Sequence, residues 1–173
     1  VLDPHEPVTE LLLRYYSELF FARNVAFSQP YYSRHPWLHL KRRETAAFLK
    51  AWYNGVASYA DREMFSWWEH YFHASPHKNH EEGGFLMQTR WMLWLEEEDQ
   101  LSLLRGVPRA WLEDGKQIQL ENVASYFGPL SLQVTSRLKQ RRIDARITCD
   151  SDRQPRRVEI RIPHPARATA IRA

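Results

Sequence analysis

The sequence predicts an α+β fold, with helices over residues 1–97 and an antiparallel β part over 98–173. Two observations carry this. Up to about Leu95 the apolar residues recur at helical spacing, and from Leu101 onward the period falls to two. Helices first and strands afterwards is the order of an α+β chain, not of an alternating α/β one. Composition allows it: the 173 residues are 43% hydrophobic and 13% aromatic, enough for one or two domains with a real core.

The elements follow in order. Pro7 to Ala22 is predicted as a helix, with Pro7 in its first turn and Val8, Leu11, Leu12, Tyr15 and Leu19 at helical spacing. Leu13, Tyr16, Phe20 and Phe21 widen its apolar face, which predicts burial between neighbours. Phe27 to Trp37, FSQPYYSRHPW, reads as a loop because Pro30 and Pro36 break helices. A second helix is expected from about Leu38 to Tyr59, with Arg42, Arg43, Glu44 and Lys50 on its wet side and a break at Asn54-Gly55. Gly83-Gly84 launches a third helix, Phe85 to about Leu95, and Glu96 to Gln100 reads as an exposed turn.

Leu101 to Leu104 is then a short strand, and Pro108 to Leu112 a helical turn closed by Asp114-Gly115. Four alternating runs follow, at residues 117–121, 130–135, 143–149 and 157–162. One apolar face each predicts an antiparallel sheet or sandwich. Three long helices with broad apolar faces make a poor free-standing unit. They are expected to need more helices, from upstream in the same polypeptide or from another chain.

Charge and length narrow the partners. The net charge is +3, yet from Arg137 onward eleven Lys and Arg stand against four Asp and Glu. Most of these arginines alternate with apolar residues, as on the wet face of a sheet, so no nucleic-acid partner is expected. No apolar run approaches the roughly 18 residues that span a membrane, so no membrane partner is expected either. Cys149 is the single cysteine, which leaves no internal disulfide framework. The chain does not open on Met, and no compartment is assigned.

One stretch departs from core chemistry. Phe65 to Glu82, FSWWEHYFHASPHKNHEE, packs two tryptophans, four histidines and three glutamates into eighteen residues. Each charged or imidazole group would need a partner or water if buried. Carbohydrate sites use this mixture, with aromatic faces against sugar rings and a few polar groups fixing orientation. The adjacent Trp67 and Trp68 would point opposite ways on an extended segment. The loop before the second helix adds Tyr31, Tyr32 and Arg34; the alternative is a loop pinned by its own aromatics. His70, His73, His77 and His80 are spaced three, four and three apart, but no HExxH occurs and Pro76 interrupts the helix that metal ligation would want. Hydrogen bonding is expected of them, with no metal and no cofactor.

In order, these features resemble the C-terminal portion of a six-hairpin glycosidase, in which an (α/α)6 toroid of paired helices precedes a small β domain. The segment LLRGVPRAWL, Leu103 to Leu112, is similar to the junction between the two parts, and NVASYFGPLS, Asn122 to Ser131, to its continuation. The order Trp68-Glu69, then Asn79-His80, then the last helix resembles the α-L-rhamnosidases of that superfamily. The resemblance implies inverting hydrolysis of a glycosidic bond, with Glu69 as the base that activates water. Two residues depart from the pattern: His70 directly follows Glu69, and Glu81 and Glu82 follow His80, so another carboxylate could hold the role. Inversion needs two carboxyls about 6.5–9.5 Å apart. The resemblance places the acid in an earlier toroid loop, so this chain alone is expected to be inactive. Trp67, Trp68, His70, His77, His80, Tyr31, Tyr32 and Arg34 are the expected substrate contacts. The alternatives are a non-catalytic carbohydrate-binding module, or an interaction fragment that completes another chain. On the structural alternative Glu69 and Glu81 merely pair with His70, His77, Lys78 or Arg90 to tie the loop.

Overall fold

The computed structural model describes residues 3–18, 35–69 and 73–165. It is a mixed α and β structure in two compact units, Val1–Met92 and Leu93–Ala173. Helices dominate the first unit and strands the second.

Helix α1 spans Pro7–Ser17, with Pro7 at its start, where the missing N–H would have had no helical partner. Thr9 and Leu13 are buried, and the Thr9 hydroxyl donates to the Asp3 carbonyl at 2.6 Å. Of the predicted apolar face, Leu13 is buried while Val8, Leu11 and Tyr15 are 47%, 64% and 58% exposed; Leu19, Phe20 and Phe21 lie outside the described residues.

The second predicted helix is two. Helix α2 spans His35–Lys41 and α3 spans Thr45–Tyr59. Pro36 lies in the first turn of α2 and so opens a helix instead of breaking one. The chain turns at Arg43, whose φ is 63°. Side chains hold this corner. Glu44 accepts from the His39 Nδ1–H at 2.6 Å and the Arg42 Nε–H at 2.8 Å. Arg42 also reaches Glu10 on α1 at 2.6 Å and the Pro4 carbonyl at 3.3 Å. Arg42 and Glu44 are therefore cross-links between helices, not members of a wet face. Asn54 and Gly55 lie inside α3 and do not interrupt it.

After α3 come two short strands, β1 (Ala60–Asp61) and β2 (Ser66–Trp67), paired antiparallel with Ala60 opposite Trp67. Helix α4 spans Asn79–Leu93, beginning six residues before the predicted Phe85. Gly83 and Gly84 fall inside it, although each glycine disfavours a helix by about 1 kcal/mol. Its first turn is fixed instead by Glu81 and Glu82, whose N–H groups donate to the Lys78 carbonyl at 3.1 and 3.2 Å. Their carboxylates also suit the positive end of the helix dipole.

The second unit begins with strand β3 (Trp94–Glu97), paired antiparallel with β4 (Gln100–Leu103). Trp94, placed at the end of a helix by the sequence reading, is thus the first strand residue, opposite Leu103. The exposed turn shrinks to Glu98-Asp99: Glu96 is buried, and its carboxylate accepts the Tyr126 N–H at 3.1 Å. A 3-10 turn at Arg109–Leu112 follows Pro108, as the sequence predicts. Strands β5 (Gln117–Ser125), β6 (Gly128–Arg137) and β7 (Arg142–Cys149) form an antiparallel sheet in that order.

The fourth alternating run does not join this sheet. It forms β8 (Arg157–Ile160), which lies parallel to β4 in the order β3-β4-β8. Alternation reports a half-buried strand but not its direction. A parallel pair needs a long crossover, and here the entire three-stranded sheet supplies it. The buried Arg105 side chain fastens this arrangement, with Nη1 at 2.9 Å from Glu97 and Nη2 at 3.8 Å from Glu159. Leu101, Leu103, Leu104, Leu112, Ile118, Phe127, Leu130, Leu132 and Val134 are buried and form the core of this unit.

Two outcomes follow from these packings. Burial, partly offset by Glu44, holds the His39 imidazole below its ordinary value of 6.5. Between that lowered value and 6.5 the unfolded chain binds more protons, so stability present above pH 6.5 falls as the pH drops through this window. Glu44 pulls the same way lower down. Its own burial is outweighed by the bonds from His39 and Arg42, its carboxyl lies below 4.5, and the stability it adds is lost as pH falls from there. Urea unfolding at pH 7.5 and 5.5 should show the loss, at no more than about 1.4 kcal/mol per pH unit per proton. The His39→Gln variant should flatten its upper part. At the β5–β6 turn, Gly128 has φ 93°, and a Cβ there would lie 2.5 Å from the Ser151 Cβ. Gly128→Ala should cost about 2 kcal/mol or more by thermal or urea unfolding.

Candidate active-site loop

The aromatic and histidine-rich stretch is a loop between β2 and the start of α4. Backbone bonds set its course. The Trp68 N–H donates to the Tyr59 carbonyl at 2.8 Å, extending the β1–β2 pairing by one residue. Glu69 and Ser75 form an isolated antiparallel bridge. The Glu69 N–H donates to the Ser75 carbonyl at 2.8 Å, and the Ala74 N–H donates back to the Glu69 carbonyl at 3.0 Å. The Lys78 N–H then returns to the Trp67 carbonyl at 3.3 Å.

Side chains lock the two ends together. The buried Ser66 hydroxyl accepts the His77 N–H at 3.1 Å and lies 3.1 Å from the Glu82 carboxylate, to which it donates. The Asp61 carboxylate caps the turn after β1, accepting the N–H groups of Glu63 and Met64 at 2.8 and 2.9 Å. Those two bonds, Met64 foremost, hold its carboxyl below the ordinary value against the opposing effect of desolvation, and the Trp68 indole and His73 act in the same direction.

The geometry around each candidate is specific. Glu69, with a quarter of its side chain exposed, pairs with the Lys78 ammonium at 2.9 Å. Glu81 is almost fully buried and lies 3.1 Å from the His80 Nε2, whose own side chain is 42% exposed. Glu82 is half-buried against Ser66. The two tryptophans go to different neighbours. Trp67 meets Phe85 with ring centres 4.7 Å apart, and Trp68 stacks on the His73 ring at 4.9 Å and 14°. Phe85 in turn stacks on Trp52, whose indole N–H donates to Thr89 at 3.3 Å. His77 is exposed. Tyr31, Tyr32, Arg34 and His70 lie outside the described residues.

Strain marks this loop and the β1–β2 turn before it. Phe65, His73 and His77 adopt left-handed backbone, with φ of 51°, 55° and 56°. None is glycine or asparagine, and a left-handed L-residue costs roughly 1–2 kcal/mol. Such positions persist only where the surroundings over-determine them, and they cluster at functional sites. The Phe65 ring is 92% exposed at the tip of the β1–β2 turn. Sequence reasoning missed this strain and Asp61, while Lys78 was among the partners it named for Glu69. The Asp61 signal was present as an acidic residue at the start of a four-residue turn.

Among the described residues, no group of three or more His, Cys, Asp or Glu side chains is placed to hold a metal ion. No described helix is long and apolar enough to cross a membrane. No protein-family model, curated protein or solved structure matches the chain.

Removing the Ser66 hydroxyl tests how this loop is held. Ser66→Ala should lower stability by about 1 kcal/mol in urea unfolding. Combining it with Glu82→Gln should cost less than the sum of the two single changes, because both break one bond.

Proposed function

We propose that this chain is the C-terminal portion of a carbohydrate-active glycoside hydrolase, in which the terminal helices of an (α/α) toroid precede a small β domain. Glu69 acts as the general base of an inverting reaction. The general acid comes from a part of the toroid upstream of these helices. The observation that carries this reading is the position of Glu69. Glu69 directly follows Trp68, whose ring stacks on that of His73 in the same strained loop, and its carboxylate pairs with the Lys78 ammonium at 2.9 Å. A base that activates water needs a fixed direction and partial access to solvent, and Glu69 has both.

The exposed apolar residues of α1 support the toroid. Val8 and Leu11 are of the kind that neighbouring helices of such a ring bury. Leu86 on α4, 65% exposed, is a second such position.

The same observations also favour a second reading in one respect. Trp67 already lies on Phe85 and Trp68 on His73, so one face of each indole is taken. A non-catalytic carbohydrate-binding or interaction fragment would use the remaining faces and need no base.

The two readings separate on the full-length protein. Glu69→Gln should lower kcat by about 100- to 10,000-fold, the usual contribution of a general base, while sugar binding stays unchanged. Undiminished turnover in Glu69→Gln removes Glu69 from the role, and Glu81→Gln and Glu82→Gln, measured alongside, then identify the carboxylate that holds it. Sugar binding with no hydrolysis by the wild-type protein favours the binding fragment.

A further inference from the structure

The three-stranded sheet carries a mostly polar groove, with Leu120 and Leu132 also in its lining. Its register explains the lining. Gln119 lies opposite Gln133, Gln133 opposite Arg146, and Ser131 opposite Thr148. Directly opposed side chains in a sheet stand about 5 Å apart, so two amides and a guanidinium form one row, and two hydroxyls start the next. The β5–β6 register shifts between Leu120 and Val123, so Glu121 and Asn122 together face Ser131. This bulge is pinned. Asn122 has φ 50°, and its N–H donates to the Ser131 hydroxyl at 3.0 Å. Glu121 shares the face of Gln119 by strand alternation, and its carboxylate accepts from the Gln119 amide. Bulges gather near binding sites. The resulting depression has a volume of about 250 Å³.

Charge singles out Arg146. On the same face Arg137 and Arg142 share Asp144, at 3.9 and 2.9 Å. Arg146 is exposed and has no carboxylate within ion-pair distance among the described residues. The groove therefore presents one uncommitted guanidinium, two amides, two hydroxyls and one carboxylate acceptor. Arginine binds a carboxylate through two parallel N–H···O bonds. The amides and hydroxyls match alcohol groups, and Glu121 accepts from a ligand hydroxyl. Glu121 also repels a densely anionic ligand such as a phosphate chain. No aromatic ring lines the groove, so nothing there stacks on a flat apolar ligand. The volume equals about eight waters, room for one saccharide ring.

We propose that this groove binds an acidic saccharide, a uronic acid unit whose carboxylate sits on Arg146 and whose hydroxyls meet Gln119, Glu121, Ser131, Gln133 and Thr148. The choice of a saccharide over another hydroxylated acid rests on the carbohydrate reading above; the site does not.

The test follows the backbone amide signals of the full chain by NMR while digalacturonate, galactobiose, tartrate and inorganic phosphate are titrated separately. Digalacturonate should move the amides of Gln119, Ser131, Gln133, Arg146 and Thr148, with galactobiose at least about tenfold weaker. Arg146→Met should weaken digalacturonate about tenfold or more, and Arg142→Met should change it less than about twofold, since its charge is already shared. Arg146 is exposed, so both variants should melt as the wild type does. Equal binding of galactobiose overturns the carboxylate anchor. The same shifts with phosphate overturn the saccharide and leave a general anion site, and equal binding of tartrate overturns the sugar in the same way. No shift at millimolar digalacturonate overturns the site. Trp68→Ala should leave this binding untouched. Digalacturonate binding lost in Trp68→Ala but kept in Arg146→Met places the sugar at the loop and overturns the groove while sparing the hydrolase reading.

Discussion

The Ser66 hydroxyl is the joint on which the candidate loop depends. It is buried, and it accepts from His77 while donating to Glu82, so one oxygen ties the end of β2 to both the loop and the first turn of α4. The β1–β2 pairing covers only two residue pairs, far too little to stand alone. Without a side-chain anchor the loop could drift from the helix. With it, the three left-handed residues are held in conformations they would not choose. The bond also explains why α4 starts early: Glu82 is already engaged by Ser66 when the helix forms its first turn.

The same logic recurs in both units. Short helices and small sheets bury limited apolar area, and directional bonds between elements fix their order. In the first unit the His39, Arg42, Glu44 and Glu10 cluster turns one predicted helix into two and ties the corner to α1. In the second, Arg105 reaches strands β3 and β8 at once. A buried guanidinium that lost either carboxylate would keep its desolvation cost, so these contacts specify arrangement more than they add stability.

Periodicity showed the class of fold, because side-chain spacing of 3.6 or 2 is a local property of the chain. The turn at Arg109–Leu112 and the runs that became β5, β6 and β7 were legible for the same reason. What depends on a distant partner was not. The break at Arg43 is set by Glu44 bonding back across it to His39 and Arg42, and in the sequence Arg42, Arg43 and Glu44 look like a charged, wet face. The direction of β8 is set by β4, more than fifty residues earlier. Trp94 fits a helix by spacing and becomes a strand residue because Leu103 lies opposite it. In the candidate loop, residue types were legible and backbone geometry was not: nothing in Phe65, His73 or His77 announces a left-handed conformation that only the finished loop enforces.

The ion pair between Glu69 and Lys78 bears on both readings of the loop. If it existed to close the loop, the backbone would need it. It does not: the bridge between Glu69 and Ser75 and the return of Lys78 to Trp67 already close the turn through main-chain bonds. A part-exposed pair of this kind adds little net stability. Its consequence is directional, since it sets which way the Glu69 carboxylate points. A controlled orientation on a strained loop is what the proposed role of Glu69 as base requires. The pair is weak as a brace and well suited as a guide, and that asymmetry is the physical reason to look for chemistry at Glu69 before the other carboxylates.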